Sequence, residues 1–157
     1  MSDLTTDLLK LEQAMRLLFQ NMKRPQTWTS VTARAGVDID RPAAGILFTL
    51  TAHATQRYRL QDLATDLGIE APSVTRKSQE LEKAGYVKRV PDPFDKRAVS
   101  LQVTTRGKKV VEKLRAVQRQ DLLAALSQWD ECDREQFIQH FERFAEQMTA
   151  RYNSAQK

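Results

Sequence analysis

Cysteine, histidine and glycine are scarce in this chain, and each shortage removes a class of function. One cysteine, Cys132, stands among 157 residues. No disulfide can form within the chain, and a cytoplasmic location is expected. The two histidines, His53 and His140, belong to no metal-spaced cluster, so no metal site is expected. The five glycines form no phosphate-binding loop, and no serine–histidine–acid set can be assembled. An enzyme is therefore not expected, nor a cofactor. Long apolar runs are missing too: none approaches the ~18 residues of a membrane span. The N-terminal MSDLTTDLLKLEQAM places acids among its leucines and has no basic start, unlike a signal peptide.

What is present suits one globular domain covering 1–157, long enough to bury a core. The net charge of +5 is unevenly placed. Ala71 to Val110 holds ten basic residues against four acids, and the rest of the chain fifteen against sixteen. The whole positive excess lies in one block, which points to a polyanionic partner.

Apolar periodicity predicts a first helix from about Asp3 to Lys23, through Leu4, Leu8, Leu11, Met15, Leu18, Phe19 and Met22. Arg24 to Asp40 lacks clear periodicity and reads as a connector holding at most a helical turn. A helix then starts near Asp40, an N-cap, with Pro42 in its first turn and Ala43, Ile46, Leu47 and Leu50 on its buried face. A short helix over Leu60 to Leu67 stops at Gly68. Another runs from Ala71, with Pro72 in its first turn, to Gly85. Two helices separated only by Gly68-Ile69-Glu70 make a helix-turn-helix.

The period then changes to two. Val99, Leu101 and Val103 alternate with Ser100 and Gln102 as a half-buried strand, and Tyr86 to Val90 should pair with it. Pro91 to Arg97, with two prolines and two aspartates, is a charged loop between them. A helix-turn-helix followed by such a hairpin is a winged helix, here Leu60 to Gly107. Two long helices close the chain, one from about Thr105 to Trp129. The other starts at Asp133, where Gln136 would complete a capping box, and carries Phe137, Phe141, Phe144, Met148 and Tyr152.

Within the helix from Ala71 to Ala84, Val74, Ser78 and Leu81 should face inward. Ser73, Thr75, Arg76, Lys77 and Gln79 are then left for solvent or for the major groove of DNA, where arginine pairs with guanine and hydroxyls reach bases or phosphates. Lys96 and Arg97 at the loop tip suit a flanking minor groove. Asp95, two residues from Arg97, would orient its guanidinium. Lys88, Arg89, Arg106, Lys108 and Lys109 read as phosphate contacts, which position without specifying.

These residues carry a resemblance. LQDLATDLGIEAPSVTRKSQELEKAGYVKRV followed by DPFDKRAVSLQVTTRG resembles the multiple antibiotic resistance regulator (MarR) family. The shared pattern is Leu63-Ala64, Ser73-Val74-Thr75-Arg76, Leu81-Glu82-x-x-Gly85, Asp95-x-Arg97-x-x-x-Leu101 and Thr104-x-x-Gly107. Lys77 and Ser78 depart from it, standing where the family usually has aliphatic residues, and Arg59 stands where a threonine cap is common. The resemblance implies a mainly α (α+β) fold. A winged helix-turn-helix part, 41–107, is flanked by dimerisation helices at 1–23 and 108–157. It also implies a homodimeric repressor of a pseudo-palindromic operator that responds to a small aromatic or anionic effector. Arg16, Trp28, His53 and Arg57 are the candidate effector residues. The apolar residues of the terminal helices, Trp129, Phe137, Phe141 and Phe144 among them, independently favour a dimer. The competing reading is a winged helix used for protein contact or for nonspecific DNA binding.

Overall fold

The computed structural model describes residues 3–53, 57–92 and 98–154. They fall into two compact units, Met1–Gln118 and Arg119–Lys157.

The first unit opens with helix α1 (Leu4–Lys23), capped by the Asp3 carboxylate, which accepts from the Thr5 N–H. A second helix, α2 (Pro25–Ala35), occupies most of the stretch expected to be a connector. Its signals are ordinary: Pro25 begins it, where no N–H is needed, and Gly36 closes it in the left-handed region at φ 61. Threonines conceal the helix in the sequence. Thr29 and Thr32 return their hydroxyls to the carbonyls of Pro25 and Trp28, each at 3.1 Å, which removes their competition with the backbone.

Helix α3 (Arg41–Ala52) starts as expected, with Asp40 accepting from the Ala43 N–H at 2.9 Å. An unexpected short strand, β1 (Arg57–Arg59), precedes α4 (Leu60–Leu67). Three residues are too few to display a period. After Gly68 comes α5 (Ala71–Lys83), then β2 (Val87–Pro91), β3 (Val99–Val103) and α6 (Thr105–Leu126). The strands form one antiparallel sheet in the order β1-β3-β2. Its register sets Ser100 between Arg59 and Val90, and Gln102 between Arg57 and Lys88.

The core joins Ile46, Leu47 and Leu50 of α3 with Leu63, Val74 and Leu81. Leu101 and Val103 of the sheet and Val110, Val111 and Leu114 of α6 complete it. Gly107 is the tight point. A Cβ there would lie 2.2 Å from the Tyr86 carbonyl oxygen, so only glycine lets α6 leave the sheet along this path. The expected alternation in β3 is broken: Val99 is exposed while Ser100 and Leu101 are both buried. Ser100 is accommodated there because its hydroxyl donates to the buried Asp92 carboxylate at 3.0 Å.

In the second unit α7 (Glu131–Ser154) begins two residues before the expected Asp133. Asp130 supplies the cap, accepting from the Asp133 N–H at 2.9 Å. Gln136 does not reach back to a backbone N–H, because its amide lies 3.1 Å from the Cys132 sulfur. Trp129, Phe137 and Phe141 form a row, with ring centroids 5.1 and 5.7 Å apart. Among the described residues, neither α1 nor α7 has a buried side chain.

Candidate nucleic-acid interface

Helix α5 is fixed from beneath and left open above. Val74, Ser78 and Leu81 are buried at spacings of four and three. Ser78 fits among apolar neighbours because its hydroxyl lies 2.7 Å from the Val74 carbonyl and 2.9 Å from that of Thr75. Arg76 and Gln79 are exposed, and Ser73 and Thr75 half-buried beside them. Thr75 donates its hydroxyl to the Ala71 carbonyl at 3.0 Å, leaving its oxygen able to accept. Among the described residues Arg76 has no ion-pair partner.

Lys77 departs from the expectation of solvent access. Its side chain is only 15% exposed, its ammonium ion-pairs with Asp40, and Glu80 lies 2.6 Å away. Asp40 and then Glu80 raise the Lys77 pKa above its ordinary 10.5. Burial pushes the Asp40 carboxyl up. The hydrogen bonds from Lys77 and Ala43, with the charges of Lys77 and Arg76, outweigh that and hold it below 3.8.

On the sheet, Lys88 is exposed. Arg89 leans back along its strand, with its Nε 3.0 Å from a Glu82 oxygen at the end of α5. Arg106 is exposed at the start of α6, its guanidinium 5.2 Å from the Tyr86 ring centre. Lys109 is exposed and Lys108 half-buried.

The base of the wing is tied by Asp92, a residue of the expected loop. Asp92 is buried. It accepts from Arg59 through Nε at 2.8 Å and Nη2 at 2.7 Å, a bidentate pair, as well as from Ser100. Its N–H donates to the Ala98 carbonyl at 3.1 Å, closing the hairpin below its tip. The one signal for this was Arg59 at the entry of α4, where it makes no side-chain cap. The expected tip residues Asp95, Lys96 and Arg97 lie outside the described residues.

The four candidate effector residues sit on different elements. Arg16 is exposed on α1. Trp28 on α2 donates its indole N–H to the Ile39 carbonyl at 2.9 Å, and its ring lies 5.6 Å from the Arg41 guanidinium. His53 is not within a helix: it ends α3 in an extended conformation and meets the Tyr58 ring edge-on at 4.8 Å. Arg57 belongs to β1. Among the described residues no three histidines, cysteines or acids are grouped to hold a metal ion, and no helix is long and apolar enough to cross a membrane.

A helix-turn-helix whose second helix is anchored below and open above, followed by a tied β-hairpin, defines a winged helix-turn-helix protein. Residues 40–99 match the model of the MarR family. The chain is 32% identical over 78 residues to an HTH-type transcriptional regulator of Bacillus subtilis, YfiV, covering 50% of this chain and 48% of that one. It thus spans about half the length of the curated relatives it matches. Among solved structures, a MarR family protein from Bacillus stearothermophilus superposes with a TM-score of 0.81 at 18% identity, covering 94% of this chain and 99% of the other. A MepR mutant from S. aureus, bound to an oligodeoxyribonucleotide, superposes with a TM-score of 0.62 at 23% identity over 88% and 97% of the two chains. At these identities the likeness is one of fold: the MarR winged helix.

Proposed function

We propose that the chain is a transcriptional regulator that binds double-stranded DNA sequence-specifically as a homodimer. The observation that carries this is α5, which presents Arg76 and Gln79 beside Ser73 and Thr75 over a buried Val74–Ser78–Leu81 seam. This is the geometry by which a recognition helix reads base edges. The positive excess between Ala71 and Val110 supplies the general attraction to phosphates. A MepR mutant, a protein of the same fold, is bound to an oligodeoxyribonucleotide, which supports a DNA-binding reading. Lys88, Arg89, Lys96 and Arg97 are assigned to phosphates and the flanking minor groove, with Asp95 orienting Arg97. A second copy would cover the exposed leucines of α1 and aromatics of α7. It would also place two recognition helices about one helical turn apart (~34 Å) on a pseudo-palindrome.

The deciding experiment is a titration of the full chain against genomic palindromic and scrambled duplexes at several salt concentrations. Preference for one palindrome and a steep fall in affinity with salt are expected. Equal affinity for all duplexes would favour nonspecific binding, and no binding at all would favour a protein-contact role. Repression relieved by an aromatic or anionic effector is the finer form of this reading, through Arg16, Trp28, His53 and Arg57. Small aromatic acids that leave DNA affinity unchanged would remove it.

A further inference from the structure

Lys77 follows Arg76 on α5 and borders the buried seam, three residues after Val74 and four before Leu81, and its ammonium is held by carboxylates. It is held between Asp40, at the start of α3, and Glu80, one turn along its own helix. Lysine ordinarily keeps its head in water. Here the side chain is largely covered and two carboxylates face one ammonium, so the local charge is already more than balanced.

Asp40 is itself a fixed anchor. One carboxylate oxygen caps α3 through the Ala43 N–H, and the other meets Lys77. Its two chain neighbours are held as well. The Ile39 carbonyl accepts from Trp28 of α2 at 2.9 Å. Arg41 donates to the carbonyls of Met22 and, at 3.1 Å, Arg24, where α1 gives way to α2. Three consecutive residues thus join the α1–α2 elbow, the start of α3 and the middle of α5.

We propose that Lys77 and Asp40 are positioning residues for DNA reading: their ion pair sets the placement of α5 against α3, and Lys77 itself touches no DNA. This rests on the DNA-binding reading above. It inverts the usual assumption for a lysine on a recognition helix, and the two assumptions predict opposite effects for one substitution. Asp40→Asn keeps an equally good cap through its carbonyl oxygen, but replaces the charged acceptor that meets Lys77 by a neutral NH2 donor, which breaks the pair. If Lys77 were a phosphate contact held back by Asp40, the substitution would free it and tighten binding to every duplex. If the pair positions α5, specific binding weakens while scrambled binding holds.

The experiment measures the affinity of wild type, Asp40→Asn, Lys77→Met and the double variant for the preferred and a scrambled duplex, with thermal unfolding of each in parallel. The expected result is a roughly fivefold or greater fall in the specific-to-scrambled ratio for each single variant, the scale of one weakened base contact. The double variant should fall no further than the worse single, because both remove the same pair. Tighter binding of Asp40→Asn to both duplexes, an unchanged ratio in either single variant, or additive losses in the double would overturn the proposal. A wild type with a ratio near one would instead overturn the DNA-reading function, so the two failures are distinguishable.

Discussion

In α3, α4 and α5 the apolar residues are covered within one chain; in α1 and α7 they are not. Ile46, Leu47, Leu50, Leu63 and Val74 have no exposed surface. The terminal helices repeat apolar residues with the same regularity, yet Leu4 is 72% exposed and Phe141 53%. Scattered exposed leucines are normal on a protein surface, but whole helical stripes are not. The contrast teaches that one periodic signal does not fix what covers the stripe: in one region the chain's own core buries it, and in the other its large apolar side chains stay exposed. The winged helix should fold on its own contacts, whereas the terminal helices should depend on protein concentration.

The largest expected effect tests the first half of that contrast. Leu47→Ala should lower the unfolding free energy by about 2–5 kcal/mol, from lost burial and the cavity left behind. In urea melts the loss should be the same at every protein concentration. A loss that grows on dilution would mean that this core, too, is shared between copies.

Phe141→Asp and Leu18→Asp test the second half. Each should weaken self-association by roughly 2 kcal/mol or more, over tenfold in the dissociation constant, as for a central interface residue. Sedimentation at micromolar concentration should show a dimer for wild type and folded monomer for the variants. A wild-type monomer at that concentration would break the comparison outright.

The difference then reaches DNA. Arg76→Ala leaves the buried seam of α5 intact and removes an exposed guanidinium. It should cost about 1–3 kcal/mol of binding to the preferred duplex and relax the preference at one base position. An equal loss on scrambled DNA would make Arg76 a phosphate contact.

How far these regions were legible in the sequence follows from what each residue answers to. Val74, Ser78 and Leu81 obey the period of their own helix, so the buried seam of α5 could be read directly, as could the caps at Asp40 and Gly68. Asp92 and Lys77 answer to distant partners. Asp92 sits in a segment rich in turn formers, and only the register of β1 on β3 brings Arg59 and Ser100 to it. Lys77 is expected in solvent for its charge, but Asp40, which holds its ammonium, stands 37 positions earlier in the chain. Helix α2 was hidden by its threonines, and β1 was too short to show a period. Long-range polar pairs and brief elements leave no periodic trace, which is why the buried seam of α5 was clear and its ion pair with Asp40 was not.

The smallest effect is a local one, and it belongs to the side of the contrast that is complete in a single chain. Tyr58 of β1 donates its hydroxyl to Asp66 of α4. That hydrogen bond, followed by burial and the charges of Asp66 and Asp62, pushes the Tyr58 pKa from 10.0 up to about 12. A pKa raised on folding means stabilisation that is complete below pH 10 and lost as the pH climbs through 12. Tyr58→Phe lacks the hydroxyl and therefore the loss. The stability advantage of wild type over this variant should be constant in neutral solution, then shrink as the pH rises across that window. Lys77 and the other bases titrate in both proteins and cancel in the difference. The shrinkage should not change on dilution, since both partners lie in one chain. A difference that stays flat to pH 12 would mean that β1 is not tied to α4 through this hydroxyl, and a dilution dependence would move the contact to the side of α1 and α7.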